Sequence, residues 1–337
     1  MNRNFVLDGE STDASVRALF LEVSMQLANE TFYKEHGFTD YYPEIPEDKI
    51  SSVSGFGRGS LTVAGQPYGS NNRYKGYAKT LTLRKYTSLI DYTEEDIHWL
   101  KKAPTTKRLM EFRSSVEGAV NALNANINLD TAKVYYLGHA STFLTGGDGK
   151  NLFDTDHPIR KSGVTAHPNV FYDSTNFGTS TTHLAFDADA LVEAVQRMDR
   201  FNLNEGLQMR KTRNLRILCS TELAETVKRT LVSMYGPDTA WLGKNKGSSE
   251  FQLGMGRKIT MSVIPDQPFA YADYWAVIDM ERAKKMNWIA WGWKPRINTD
   301  KTVQNGISYN AASVLFGPIF SDWRFAFGSK GDGTTVA

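Results

Sequence analysis

The stretch from residue 54 to residue 89 constrains the fold most, because it cannot build a core of its own. Short alternating segments flank the turn-rich sequence GQPYGSNNR, a pattern that predicts a long two-stranded hairpin. Few of its residues are large and aliphatic, and an isolated hairpin is only marginally stable in water. We therefore expect the hairpin to project from the body of the protein and to be stabilised by packing on a neighbour.

The residues on either side of the hairpin predict helices and an extended arm. Apolar side chains recur at helical spacing over residues 13–36, with Thr12 as the N-cap and Gly37 as the stop. The proline-containing sequence FTDYYPEIPEDK then favours extended chain. After a short helix that follows Thr93, an amphipathic helix is expected from Thr105 or Thr106 to about Asn124.

The rest of the chain predicts a mixture of strands and helices. KVYYLG, residues 133–138, is a strand candidate, and residues 139–182 form a long irregular stretch. Asp187 is expected to cap one helix, and Ser220 or Thr221 a second one after the buried strand 215–219. KITMSVIP, YWAVIDM, MNWIAWGW, YNAASVLFG and the alternating FSDWRFAFG follow as strands. The sequence therefore predicts an α+β fold.

The composition excludes several classes of protein. The 337 residues carry a formal net charge of +2, so only weak, non-specific contact with nucleic acid is expected. A single cysteine, Cys219, rules out an intrachain disulfide and fits a reducing compartment. The N-terminal sequence has no signal-peptide pattern, and no apolar run is long enough to predict a membrane span.

The segment GGDGKNLFDTDHPIRKSG, residues 146–163, contains the strongest candidates for chemistry. Asp154, Asp156 and His157 are residue types that bind metal ions, and they would serve a metal-dependent hydrolase. Their spacing matches no zinc or calcium motif, however, and aspartates in glycine-bracketed loops commonly bond nearby backbone N–H groups. A structural loop is the favoured interpretation of these three residues.

Other chemical candidates also favour structural interpretations. His139 and His167 lie in the same irregular stretch, but nothing in the sequence brings them to the first three. Cys219 ends an apolar strand, which is typical of a buried, unreactive thiol. The sequence GMGRKI precedes a strand, whereas phosphate-binding glycine loops follow one. We therefore predict no catalytic residues, no metal and no cofactor.

Four parts of the sequence follow one another in a distinctive order: NLFDTDHP followed by STNFG, then LRILCSTELAETVKRTL, YWAVIDMERAKKMNWIAW and GPIFSDWRFAFG. Their order resembles that in the major capsid proteins of tailed bacteriophages, the Hong Kong 97-like fold, and most closely that in the Mu-like major head subunits. In GPIFSDWRFAFG, the resemblance implies that an Asp-Trp-Arg or similar sequence closes the fold. The match is one of pattern over most of the chain and has no single sharp motif.

The resemblance implies a division of the chain into five parts. These are an N-terminal arm (1–50), an extended loop reaching onto a neighbouring subunit (51–90), a peripheral domain with a long spine helix (91–183), an axial domain (184–300) and C-terminal strands returning to the peripheral domain (301–337). The implied function is that of a non-enzymatic major capsid protein, which self-assembles into the icosahedral shell around the double-stranded DNA genome of the phage.

The implied partners are those of a shell. They are other copies of the chain in hexamers and pentamers, portal and decoration proteins, and packaged DNA through weak contacts, with no membrane. A separate scaffold protein is expected because no long scaffolding segment is evident before the arm. The expected location is the virion, after assembly in the host bacterial cytoplasm. An encapsulin-like compartment around protein cargo is the main alternative, and the metal-dependent hydrolase described above is the other.

Overall fold

Two four-stranded sheets and one long helix organise the part of the chain that the structure describes, and the predicted mixture of helices and strands is confirmed. The structure is a computed structural model. It describes residues 22, 32–45, 47–51, 76–93, 105–140, 142–159, 166–172, 182–202, 209, 212–233, 257–265, 267–302 and 307–334.

The first sheet has the strand order β1-β8-β9-β4 and carries the long helix α1 on one face. Its strands are β1 (Thr39–Tyr41), β4 (Arg84–Thr93), β8 (Asn287–Thr302) and β9 (Ile307–Phe320), and α1 spans Thr105–Tyr136. Strands β8, β9 and β4 are antiparallel, and β1 is parallel to β8. Helix α1 buries Val116, Val120, Leu123 and Ile127, which recur at helical spacing.

Helix α1 continues through the residues for which the sequence predicts a strand. It ends at Tyr136 and not near Asn124, so the strand expected at KVYYLG is wrong. Val134, Tyr135 and Tyr136 are all buried, which gives this turn apolar contacts on several sides at once. Tertiary packing therefore overrides the β propensity of its valine and tyrosines.

The second sheet has the strand order β10-β7-β5-β6. Its strands are β5 (Asn214–Cys219), β6 (Lys258–Val263), β7 (Trp275–Asp279) and β10 (Ala326–Ser329), and the helices near it are α2 (Ala188–Asp199), α3 (Thr221–Ser233) and α4 (Met280–Met286). Asp187 caps α2 by accepting the Ala190 N–H at 2.6 Å, as predicted. Ser220, and not Thr221, caps α3, because its Oγ accepts the Leu223 N–H at 3.0 Å.

The last predicted strand and the expected boundary at residue 300 both need correction. Residues 321–325 of FSDWRFAFG form a turn, and β10 begins only at Ala326. Strand β8 runs to Thr302 and pairs with β9 along most of its length, so a boundary at 300 would cut a strand. Strand β10 then joins β7 in the second sheet. Alternation in the sequence indicates strands, but it does not say which strands pair.

The base of the predicted hairpin is a short antiparallel ribbon of β2 (Lys49–Ser51) and β3 (Ala78–Thr80). Residues 84–89, expected to belong to the hairpin, lie instead in β4 and pair with β9. The ribbon is joined to the body, since Ile50 and Leu81 are buried against Ala290 and Ile319. The rest of the hairpin, residues 52–75, lies outside the described residues.

The Asp40 carboxylate adds side-chain bonds to the attachment of the arm to the first sheet. Strand β1 has only three residues. Asp40 within it accepts hydrogen bonds from the Tyr33 hydroxyl at 2.9 Å and from the Trp291 indole N–H at 2.8 Å. The Lys294 ammonium lies 3.7 Å from the same carboxylate. Side-chain hydrogen bonds therefore supplement a very short backbone ladder.

Most of the helix predicted for residues 13–36 and the short helix after Thr93 lie outside the described residues. The end of the first is a 3-10 turn, Phe32–Lys34. Gly37 follows with a φ of 83°, and a Cβ there would lie 2.9 Å from the Ala283 Cβ. Both facts favour glycine at this helix stop, which the sequence predicts.

Replacing Leu81 by alanine should destabilise the subunit, because Leu81 is buried in the contact between the ribbon and the body. We expect Leu81→Ala to lower the free energy of unfolding by about 2–4 kcal/mol. Leu89→Ala is the matched control, since that side chain is 58% exposed, and it should cost less than about 0.5 kcal/mol. Denaturant unfolding of the unassembled subunit measures both. Equal effects would show that the ribbon does not share the core.

Candidate functional site

Asp154, Asp156 and His157 do not converge on a common point. One carboxylate oxygen of Asp154 accepts the Asp156 backbone N–H at 3.1 Å, which is the local role expected of an aspartate in a turn. The Asp156 side chain is exposed and lies 3.5 Å from the Lys150 ammonium. His157 is fully buried. In the residues described, no group of three or more His, Cys, Asp or Glu side chains could hold a metal ion.

His157 lies at the centre of a buried polar junction. Its Nδ1 is 2.8 Å from a carboxylate oxygen of Asp148, and its Nε2 is 3.2 Å from the side-chain oxygen of Asn169. The ring stacks on Trp323, with centroids 4.3 Å apart and planes inclined by 14°. The imidazole is therefore held on both edges and on one face, which is a structural arrangement.

Asp148 and Asn169 are fixed by their own partners. The Asn169 amide donates to the carbonyls of Leu152 at 2.6 Å and Ala326 at 3.2 Å, so its oxygen faces His157. Burial alone would raise the pKa of the Asp148 carboxyl. The hydrogen bond and charge of His157, with the Lys150 backbone N–H, outweigh burial and hold that pKa below its usual value.

The junction fastens the irregular stretch to the edge of the second sheet. His157 and His167 exchange backbone hydrogen bonds at 3.2 and 3.1 Å. The Gly328 N–H of β10 donates to the Asn169 carbonyl at 3.0 Å, while the Asn169 side chain reaches the neighbouring Ala326 carbonyl. This stretch therefore supplies partners to polar groups of an edge strand that would otherwise be exposed.

The Asp-Trp-Arg sequence of residues 322–324 is buried beside this junction. The Arg324 guanidinium lies 2.5 Å from the Asp322 carboxylate and donates through Nε to the Asn202 carbonyl at 2.8 Å. Arg282 in turn donates to the Arg324 carbonyl at 3.2 Å and pairs with Asp279 at 3.1 Å. Burial raises the pKa of Asp279, and it lowers that of Arg282.

Arg197 fastens α2 to the same irregular stretch. One of its terminal nitrogens donates to the carbonyls of Val170 at 3.2 Å and Tyr172 at 3.0 Å, and the other lies 2.5 Å from Glu193. Its guanidinium also packs over the Phe171 ring at 5.3 Å. Since these donors are directed at backbone carbonyls and a carboxylate of the same chain, the guanidinium serves the fold.

His139 does not join His157 and His167. Its ring packs against Phe153 at 4.8 Å and against His183 at 5.2 Å. Burial, with the charges of His183 and Lys330, lowers the pKa of His139 well below its usual value. His167 is directed elsewhere, with Nε2 3.1 Å from the Asn202 amide nitrogen. The histidines are thus divided between two packing clusters.

Cys219 is buried, as expected at the end of an apolar strand. Burial raises the pKa of the Cys219 thiol to about 12, which disfavours the thiolate form that a nucleophile needs. In WIAWGW, Trp291 packs in the core against Phe316, and Trp288 lies near Tyr41. Of GMGRKI, only the last three residues are described, and they lead into β6.

The sequence does not reveal the junction because its members are far apart along the chain. Asp148, Asn169 and Trp323 meet only when β10 joins the second sheet. The one available signal was the run Asp322-Trp323-Arg324, whose charged residues lie within an otherwise apolar segment.

Comparison with known proteins identifies similar structures but no similar characterised sequence. No protein-family model and no curated protein matches the chain. A chain in the structure of Mycobacterium phage Patience is 15% identical, and the match covers 99% of this chain and 92% of that one with a TM-score of 0.50. A chain of the bacteriophage PhiM1 mature capsid is 11% identical, and the match covers 88% of this chain and 86% of that one with a TM-score of 0.49. A chain of the native GTA particle capsid is 15% identical, and the match covers 88% of this chain and 89% of that one with a TM-score of 0.47.

The match to the Patience chain extends over almost the whole protein and shows that the fold is shared. The expected mixture of helices and sheets is therefore confirmed, and it is arranged as in the Patience chain. The closer likeness to the Mu-like subunits stays a prediction. In the described part of the chain, no helix is both long and apolar enough to span a bilayer.

Replacing His157 should be far more damaging than replacing its neighbour in the sequence. His157→Ala leaves the Asp148 carboxylate buried without its partner and opens a space beside Trp323, so we expect a loss of about 2–4 kcal/mol in the free energy of unfolding. Asp156→Ala removes an exposed side chain and should cost less than about 0.5 kcal/mol. Denaturant unfolding of the two variants makes the comparison. Bound metal lost equally in both would instead favour a metal site.

The subunit should lose stability as the pH falls below about 6.5. Burial lowers the pKa of His36, His167 and His183 to about 4 from 6.5, so below 6.5 the unfolded chain takes up protons first. Each of these histidines then lowers the free energy of unfolding by at most about 1.4 kcal/mol for each pH unit. Denaturant unfolding between about pH 7 and pH 5 measures the slope. His36→Gln should make the slope shallower, and an unchanged slope would show that His36 is not buried neutral.

Proposed function

We propose that this chain is the major capsid protein of a tailed bacteriophage, and that it assembles into the icosahedral shell around the double-stranded DNA genome. The observation that carries the proposal is the fold shared with the phage Patience chain over 99% of this chain. The polar junction supports it as well, because its charged and polar groups are paired with one another and with backbone groups.

The surface of the subunit also fits an assembly. Tyr42, Ile45, Leu89 and Phe269 are between 58% and 81% exposed, and they lie on the arm, on strand β4 and on the loop before β7. Large apolar side chains exposed at several separate places on one subunit suit contacts with several neighbours. In a closed symmetric shell such surfaces are covered.

We assign the parts of the capsid fold to the structure as follows. Helix α1 and the first sheet are the peripheral domain, with α1 as its spine, and the second sheet with α2, α3 and α4 is the axial domain. The ribbon β2–β3 is the base of the extended loop, and β1 belongs to the arm. Strand β8 is moved to the peripheral domain, because it pairs with β9 and not with the second sheet.

The partners and location follow from the same proposal. Copies of the chain would form hexamers and pentamers, with a separate scaffold protein, a portal and decoration proteins as further partners in the virion. Contact with the packaged DNA would be weak and independent of sequence, because the net charge is only +2. No enzymatic activity and no cofactor belong to this function.

The purified chain, supplied with a scaffold, should form closed shells containing pentamers and hexamers. Negative-stain imaging and light scattering test this directly. Replacing residues 53–76 by a short Gly-Ser turn keeps Ile50, Leu81 and their contacts, so the variant subunit should remain folded while its yield of shells collapses. Persistent monomers or dimers of the wild-type chain would contradict the proposal.

The contents of particles made in cells distinguish a capsid from a compartment for protein. A capsid isolated from phage-infected cells should contain nuclease-protected double-stranded DNA. Mass spectrometry that finds one stoichiometric protein cargo, with no protected DNA, would establish the encapsulin-like alternative instead.

A further inference from the structure

The face of the first sheet opposite helix α1 carries a patch with both apolar and cationic side chains. Cross-strand pairing aligns Lys85 with Leu315 and Trp293 in one row, and Thr87 with Ser313 and Arg296 in the next. Leu89 continues the face along β4 and is 58% exposed. We call Lys85, Leu89, Trp293, Arg296 and Leu315 the outer patch.

The cations of the outer patch lie against Trp293, and no carboxylate among the described residues pairs with them. The Arg296 guanidinium lies 4.1 Å from the centre of the indole, and the Lys85 ammonium lies 6.0 Å from it. Within the described residues, no salt bridge includes either cation. Two positive charges therefore flank an apolar centre and remain available to pair with acids.

Two polar atoms on the same face also lack partners in the described part of the chain. The indole N–H of Trp293 and the Oγ of Ser313 are buried and make no hydrogen bond. A buried polar group without a partner costs about 1–3 kcal/mol, and native structures contain few of them. Both atoms lie on the face that carries the outer patch, so this face leaves two buried polar groups unpaired among the described residues.

The arm of the same chain carries the complementary chemistry. Residues 42–48, which we call the arm segment, have the sequence YPEIPED. Tyr42 and Ile45 are 59% and 58% exposed, and Glu44 and Glu47 are exposed beside them. The segment thus offers two apolar side chains interleaved with acids, whereas the outer patch offers an apolar centre flanked by bases.

We infer that the outer patch of one subunit binds the arm segment of a second copy. Ile45 would pack on Leu89, while Glu44 and Glu47 would pair with Lys85 and Arg296. The contact joins two different surfaces, so it is heterologous, and repeated around an axis it closes a ring. The inference rests on the proposed capsid function and names one contact within the shell.

A protein partner fits this patch better than nucleic acid does. Only two cations are present, and Leu89, the most exposed apolar side chain of the patch, has no polar group to meet a phosphate. Sequence-independent binding to DNA relies mainly on several phosphate contacts. Acidic residues and an isoleucine in the arm segment match the mixed character of the patch more closely.

Disulfide trapping between two chains that each carry one introduced cysteine tests the contact. The native Cys219 is buried and unreactive, so Ile45→Cys and Leu89→Cys chains, mixed under assembly conditions and oxidised, should form a mixed disulfide. Its yield should exceed that of the Ile45→Cys and Phe269→Cys pair by at least about tenfold, because docking raises the effective concentration of the two thiols. Phe269 is a suitable control because it is even more exposed, at 81%. Equal yields would overturn the inference.

Charge reversal provides a second test that does not depend on new cysteines. Lys85→Glu with Arg296→Glu should reduce shell yield at least about tenfold, and adding Glu44→Lys with Glu47→Lys in the same chain should restore it. Lys284→Glu with Lys285→Glu, on the exposed face of α4, is the matched control and should have little effect.

The outcomes separate this inference from the proposed function. Wild-type shells that form normally, with neither trapping nor charge dependence, would refute the contact and leave the capsid function standing. A wild-type chain that never forms shells would refute both. The charge-reversed variant could instead form shells in normal yield but retain less DNA or bind less decoration protein. That result would assign the outer patch to the DNA or to the decoration protein, and it would overturn the inference.

Discussion

The Tyr135 hydroxyl is the interaction on which the arrangement of the arm, the long helix and the first sheet depends. It donates to the His36 carbonyl just before β1 and accepts from the Asn287 side-chain amide at the start of β8. Phe38 packs edge-on against the same ring. One buried side chain thus links three segments that are remote in sequence, and burial raises its pKa far above neutrality, so it stays a neutral donor. The last turns of α1 must be helical for this hydroxyl to reach both partners.

Buried arginines perform a related task in the second half of the chain. Arg197, Arg282 and Arg324 are nearly inaccessible to solvent, and each donates to backbone carbonyls as well as to a carboxylate. Burying a charged pair costs several kcal/mol per ion, so such pairs contribute less to stability than apolar packing of equal volume. Their geometry is nevertheless restrictive, because a planar guanidinium satisfies several carbonyls in only one orientation. We interpret Arg197 as fixing the path of the irregular stretch near Val170 and Tyr172, and Arg282 and Arg324 as fixing the turn at residues 321–325.

Much of the local structure could be predicted from the sequence, whereas the long-range contacts could not. Asp187 and Ser220 cap the helices where polar residues precede apolar periodicity, and the strands of the second sheet coincide with apolar runs. The sequence predicts a strand at Val134–Tyr136, where the structure has a helical turn. All three side chains are buried, so this turn lacks the alternation of apolar and polar residues that indicates an amphipathic helix. The pairing of Arg84–Thr93 with β9 joins residues more than two hundred positions apart, and alternation carries no information about partners. Asp148 and His157 are only nine residues apart, but the loop between them has no periodicity from which their contact could be predicted.

The backbone ladder that attaches the arm to the first sheet is much shorter than the ladders within the sheet. Strand β1 offers a three-residue ladder to β8, and Asp40 supplements it with two hydrogen bonds from Tyr33 and Trp291. The ten-residue ladder between β4 and β9 is far longer, so a change in the direction of the arm disturbs fewer backbone hydrogen bonds than a change within the sheet. In the shell that we propose, five-fold and six-fold rings would require the same subunit to meet its neighbours at different angles. The joint at β1 would then be the place where such quasi-equivalence disturbs the fewest backbone hydrogen bonds, and the hydrogen bonds of Asp40 would keep the arm attached while its angle changes.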